Sequence, residues 1–309
     1  MDGTEKAQHS RPELQKQFRA CVFAHYDRDG IVDEHVYHLL RDILENVSRI
    51  ELVTTASISK SDIDRLESMG IKVNLRCNEG YDFCSYKLGI EKLDLNNFQE
   101  LILCNDSVYG PLFPFSATFN HFSEIDCDFW GISASKEIAR HIQSYFMVFR
   151  RPVLEDHIFT DFWSRVSPLS SKDEVIRNYE VGLSQNLLAQ GFSARALIDT
   201  EGNDSIARIF RSLPLYWKAA RKKGVRLSFY KTLVRSIFSG AGLHPNPLQY
   251  DWKAKLVKSK TPVFKIEILR DNPHEIFDRE ALLETIEANS NYPVSLIRDH
   301  LNRTGLNRP

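Results

Sequence analysis

A chain of 309 residues with 42% hydrophobic content and 19 Phe has material for one large core or two modest ones. Its formal net charge of -1 supplies no field that favours nucleic acid, so a nucleic-acid partner is set aside. The 5 Cys stand singly, none with metal-ligand spacing, and read as reduced thiols of a cytoplasmic protein.

The first 16 residues are polar, lack the apolar h-region of a signal peptide and read as a disordered tail. No window approaches the roughly 20 apolar residues of a membrane span. Residues 21–24 form an apolar strand that ends in His25, Tyr26 and Asp27. An aromatic and a carboxylate there suit a nucleobase and a ribose hydroxyl; an ordinary polar βα loop fits equally well. A helix follows, with Val36, Leu39, Leu40, Ile43 and Leu44 on one face. Residues 50–55 are a second strand. Ser61 is the expected cap of the next helix, which carries Ile63 and Leu66 and stops at Gly70. Residues 71–75 alternate as a third strand. Asp82 then opens a helix that ends before Leu93, and it suits either the helix N-cap or a ligand contact.

Residues 101–104 run straight into Asn105, Asp106 and Ser107, then into Gly110-Pro111. A buried strand ending in carboxylate and hydroxyl groups is where α/β proteins hold ligands, outside the carboxyl edge of the sheet. An Asp there can accept a sugar hydroxyl or bind a divalent cation; a plain Asn-Asp-Ser turn is the alternative. Residues 128–133 and 144–149 supply two further strands. Repeated βα units imply a mostly parallel sheet flanked by helices. Leu183, Leu187 and Leu188 mark a helix running to Gly191, with Glu180 expected in its first turn, where the macrodipole favours a carboxylate. Gly182 so early in a helix suggests that something packs against the backbone.

Residues 206–238 read as helical and basic, with Lys218, Arg221, Lys222, Lys223 and Arg226 clustered; residues 240–247 read as a linker. The cluster suits a solvated helix face or contact with anionic lipid. Lys265 and Arg270 lie in a stretch that reads as strand or short helix. Either cation could meet a leaving diphosphate, or simply pair with Glu267 and Asp271. GxGxxG and GxxxxGK[ST] are both missing, which argues against a dinucleotide oxidoreductase and a P-loop enzyme.

Taken in order, VFAHYDRDGIVDEHV, RCNEGYDFCSYKLGI, LILCNDSVYGPL, DFWGIS, HIQSYFMVFRRPVL, YEVGLSQNLLAQGF and NPLQYDWKAKLVKSKTPVFKIEILRDNP resemble the rhamnan synthesis protein F family of bacterial polysaccharide glycosyltransferases. The resemblance implies an α/β, GT-A-like fold: a nucleotide-sugar-binding domain over residues 17–205 and a helical acceptor-side region over 206–309, packed on the same domain. It implies transfer of L-rhamnose or a related deoxysugar from a dTDP-linked donor, with inversion, to a growing polysaccharide or lipid-linked glycan of the O-antigen type. By the same resemblance Glu180 is the general base. Tyr26 and Asp27 touch the nucleoside, Asp82 the base or ribose, and Lys265 and Arg270 the diphosphate. Asn105, Asp106 and Ser107 stand where many GT-A enzymes carry a DxD metal motif. With one carboxylate instead of two, Asp106 is the expected ligand for Mg²⁺ or Mn²⁺, and metal-independent action is the alternative. Cytoplasmic location with peripheral contact at the inner membrane follows from the same source. Two other readings stay open: a same-fold transferase for another nucleotide sugar, and a catalytically silent donor-binding or scaffolding subunit of an assembly complex.

Overall fold

The computed structural model describes residues 18–136, 138–199, 252–271 and 279–305. The expected tail at 1–16, the basic stretch at 206–238 and the linker at 240–247 lie outside the described residues.

The centre of the molecule is β1 (Arg19–His25), every residue of which is buried. It lies between β2 (Arg49–Thr54) and β4 (Glu100–Asn105), parallel to both. A strand covered on both faces must be apolar on both, which is why it reads as a continuous hydrophobic run. Cys21 and Phe23 point into one core cluster, Ala20, Val22 and Ala24 into the other. The sheet runs β3 (Lys72–Leu75), β2, β1, β4, β8 (Phe146–Arg150), β6 (Phe129–Ser135), β7 (His141–Ile142). A further strand, β9 (Ala194–Ile198), pairs with β6 in parallel. The sheet is thus mostly parallel, with β8 inserted against β4 and β6.

Helices cover both faces. On one, α1 (Glu34–Asn46) buries Val36, Leu39, Leu40 and Ile43 as a stripe at helical spacing. The next helix, α2 (Lys60–Ser68), is capped by Ser59, whose hydroxyl accepts the Asp62 N–H, rather than by the expected Ser61. Asp62 decides this: it accepts a hydrogen bond from the Ser59 hydroxyl, so the pair holds the first turn from both ends. On the other face, α3 (Tyr81–Glu91) lays Phe83, Tyr86 and Ile90 against the sheet. Gly89 permits that approach, since a Cβ there would lie 2.2 Å from Val22 Cγ1.

The described C-terminal residues return to the first face. β5 (Val108–Tyr109), just beyond β4, pairs antiparallel with β10 (Phe264–Lys265). The stretch expected to be strand or short helix is both, because β10 passes directly into Ile266–Asp271. Leu256, Leu269, Leu282, Ile286 and Ile297 join the cluster that holds Cys21, Phe23 and α1. No described helix is long and apolar enough to cross a membrane.

Candidate active site

Parallel β1 and β4 end at the same edge, with Ala24 and Asn105 in register. The chain then folds over itself in a short polar knot. Asp106 donates its N–H to Ala24 O at 3.2 Å, and Tyr26 returns its N–H to Asp106 Oδ2 at 2.8 Å. His25 stands behind them, Nε2 3.9 Å from the same carboxylate oxygen and Nδ1 2.9 Å from Thr54 Oγ1 at the end of β2. Asn105 accepts both the N–H and the hydroxyl of Ser107 and donates from Nδ2 to Asp82 Oδ2 at 2.8 Å. Gly80, not Asp82, is the N-cap of α3. Asp82 lies one residue into the helix and faces Asn105. Two hydrogen-bonded sets, Tyr26 with Asp106 and Asp82 with Asn105 and Ser107, are therefore held side by side by the chain between Asn105 and Asp106.

The opposite wall comes from an irregular helix. It begins at Lys172–Val175 with a capping box between Ser171 and Glu174, then widens into a π-helical turn at Ile176–Val181 before resuming as Gly182–Ala189. Glu180 therefore lies inside the helix, in the π turn, and not in a first turn. Nor do the described residues pack closely on Gly182, since a Cβ there would meet only Arg177 O among them, at 3.7 Å. Single π turns inside helices recur at functional sites because the extra residue re-aims side chains. Here Glu180 Oε2 accepts the Ser144 N–H at 2.7 Å and the Ser144 hydroxyl, while Oε1 lies 3.3 Å from His141 Nε2. His141 Nδ1 faces the Ala139 carbonyl at 2.8 Å; a carbonyl only accepts, so Nδ1 carries the hydrogen. Lys265 Nζ lies 5.2 Å from the centre of the Tyr145 ring.

The electrostatics separate these carboxyls. Burial pushes Glu180 up, but His141, the Lys265 charge and the Ser144 hydroxyl outweigh it and hold the group below its ordinary value, as an anion. Burial raises Asp82, and the Glu180 charge adds to that against the Asn105 hydrogen bond and the Lys172 and Arg76 charges. Asp106 is raised well above its ordinary value, first by burial and then by the charges of Asp82 and Asp27. Like charges thus crowd one sheet edge. Carboxylate oxygens are the donors that Mg²⁺ and Mn²⁺ prefer, and a cation at Asp106 would relieve this repulsion, so the residues fit such an ion.

The other expected site residues have partners of their own. Asp27 accepts the N–H groups of Asp29 and Ile31 and is held by Arg303, Nη2 to Oδ2 at 2.6 Å. Among the described residues Tyr26 is held only through its backbone N–H, and the residue is half-exposed. Arg270 grips both oxygens of Asp271, at 2.7 and 2.9 Å. Three contributors were not singled out from the sequence: His141, Ser144 and Arg303. HIQSYF, with polar residues leading into a strand, was the available hint for His141 and Ser144.

Comparison with known proteins adds the family. A model described as rhamnan synthesis protein F matches residues 50–238. Virulence protein VirA of Vibrio anguillarum is 26% identical over 299 residues, covering 92% of this chain and 90% of that protein. The uncharacterized protein y4gN of Sinorhizobium fredii is 27% identical over 194 residues, covering 61% of this chain and 50% of that one. The match thus spans about half the length of y4gN. Among solved structures, the mannosyltransferase PcManGT from Pyrobaculum calidifontis, in complex with GDP-Man and Mn²⁺, is 8% identical with a TM-score of 0.40, covering 95% of this chain and 82% of that one. The family model covers well over half of the sequence, and the chain belongs to the rhamnan synthesis protein F family.

Proposed function

We propose that this chain is a glycosyltransferase that moves a sugar from a nucleotide-linked donor to a bacterial surface glycan. Family membership supports the reaction class. The observation that carries the reading is the knot at the carboxyl edge, where Asp106 is fixed by the Tyr26 N–H among the charges of Asp27 and Asp82, with Glu180 and Lys265 on the facing wall. An edge of carboxylates beside one lysine is suited to a diphosphate bridged by a cation. The donor we assign is dTDP-linked L-rhamnose or a related deoxysugar; the acceptor is a growing polysaccharide or lipid-linked glycan, reached from the cytoplasmic side by peripheral membrane contact.

In this reading Asp106 holds Mg²⁺ or Mn²⁺. Such an ion, when bound, offsets charge on the departing diphosphate. Lys265 meets the same charge from the facing wall, with Arg270 joining once released from Asp271. Glu180 takes the proton of the attacking acceptor hydroxyl, and the hydroxyl displaces the nucleotide with inversion. For that step one Glu180 oxygen must exchange its His141 or Ser144 contact for the acceptor. A specific observation favours a second assignment of Glu180. Both its oxygens are already engaged and its pKa is lowered, which suits a positioning residue that holds the Ser144 turn, and Asp82 or Asp106 then supplies the better-matched base.

Thermal melting with dTDP-, UDP- and GDP-sugars, with Mn²⁺ or with EDTA, tests the donor. A ligand held only by the native state raises the melting temperature. The expected result is a selective rise with dTDP-rhamnose that weakens in EDTA. A rise with UDP- or GDP-sugars instead would change the donor, and no rise with any nucleotide would defeat the transferase reading.

A further inference from the structure

A second polar cluster lies where α1 meets the last described helix, α12 (Ser295–Thr304). Asp33, just before α1, His35 on it and His300 on α12 each offer a ligand atom, and these atoms lie within 4.8 Å of one another. His35 is 2% exposed, and neither of its ring nitrogens has a hydrogen-bond partner among the described residues. A buried imidazole without partners costs the fold free energy that a ligand at that place would recover. Its ring faces that of His300, 4.5 Å between centroids. His300 Nδ1 lies 2.7 Å from the Tyr109 hydroxyl, while Nε2 faces Asp33 Oδ2 at 3.8 Å. One nitrogen held by an outer partner and the other directed at an anionic oxygen is how metal-binding histidines are prepared.

The charge around the cluster is also unbalanced. Asp27, Asp29 and Asp33 all accept hydrogen bonds from one cation, Arg303. That leaves room for further positive charge.

We infer that Asp33, His35 and His300 form a site for one divalent transition-metal ion of the zinc type, which clips α12 to the start of α1. Two imidazoles and a carboxylate suit such an ion and disfavour Mg²⁺ or Ca²⁺, which prefer all-oxygen sites. Ligand atoms of a tetrahedral zinc site lie about 3.3 Å apart at the usual bond lengths, so the side chains must rotate inward on binding. Arg303 uses both Asp33 oxygens in the absence of metal and would keep one of them. This site does not depend on the donor reading.

The test uses the full chain, stripped with EDTA and returned to metal-free buffer. Zinc is titrated by calorimetry and by thermal melting, with Mg²⁺ as comparator. With excess Mg²⁺ present throughout the titration to fill the carboxyl edge, one equivalent of zinc per chain is expected, with a further rise in melting temperature that EDTA reverses and added Mg²⁺ does not produce. His35→Leu and His300→Gln should each weaken zinc binding by at least ~100-fold, as loss of a ligand must exceed the loss of an outer partner. Without metal, His35→Leu should melt at or above the wild type, because it removes unsatisfied buried nitrogens. Should His35→Leu fail to fold, His300→Gln gives the same reading. Failure of the wild type to take up one equivalent of zinc would overturn the site. So would binding that survives both substitutions, which would place the zinc elsewhere, for instance at the exposed Cys77.

Discussion

Glu180 and Asp106 are partly buried carboxyls driven in opposite directions, and each direction has a measurable consequence. Glu180 is stabilised as an anion by His141, Lys265 and Ser144. A Gln in its place still accepts from Ser144 but cannot take a proton. Glu180→Gln is therefore expected to keep donor binding and lose transfer by at least ~100-fold, the usual weight of a general base, in a steady-state assay. Near-normal turnover would leave Glu180 a positioning residue only. Asp106 is held well above its ordinary value of 3.8, so folding disfavours its charged form. Its contribution to stability is fully present below that ordinary value and is lost as pH rises through the raised one. Asp106→Asn removes the titration while an amide oxygen can still accept from Tyr26. The variant should be more stable than the wild type at pH 8, with the gap closing toward pH 4, in denaturant melts across that range. A gap independent of pH would contradict the charge argument. Asp106 was legible in the sequence because an apolar strand ran straight into it. His141 and Arg303 were not, because their partners lie 39 and 276 residues away in the chain, at Glu180 and Asp27.

At the scale of elements, the parallel strands were legible because a strand buried on both faces must be apolar on both. The π turn was not, since it preserves the helical apolar spacing on either side and shifts the frame by a single residue. Glu180, expected at a helix start, lies inside a helix whose start at Lys172 is set by the capping box of Ser171 and Glu174. The pairing of β5 with β10 was also hidden, each strand being two residues long and the partners far apart in sequence. Gly89 is a case where helix propensity and packing conflict. Ala would gain about 1 kcal/mol of propensity, yet its Cβ would fall 2.2 Å from Val22 Cγ1 and 3.0 Å from Cγ2. Val22 is fully buried and β-branched, so rotation only exchanges one methyl for another. Gly89→Ala is expected to destabilise by about 1–3 kcal/mol net, as overpacked cores do, in urea denaturation. A stabilised variant would mean that α3 does not press on β1 as described.

Across the whole molecule, one sheet edge gathers groups from distant parts of the chain. Residues 24–27 and 105–107 form the knot, residue 82 faces it, residues 141–145 and 180 form the second wall, and Lys265 arrives with the returning C-terminal segment. Arg303 then ties that segment to the β1 loop through Asp27, Asp29 and Asp33. The α/β sheet and the carboxyl-edge position of the site could be foreseen from apolar runs that end in polar clusters. The closure by α12 could not, because nothing in the spacing around Arg303 marks partners 270 or more residues away in the chain. The central claim is that these groups transfer a sugar from a nucleotide. The most direct test incubates the isolated protein with dTDP-rhamnose and Mn²⁺, with and without a rhamnan oligosaccharide acceptor, and follows free dTDP and the extended glycan. The account predicts dTDP release that rises with acceptor and appears in step with a longer glycan. Donor that binds yet is recovered intact, with no glycan extended, would contradict it and favour a silent donor-binding subunit.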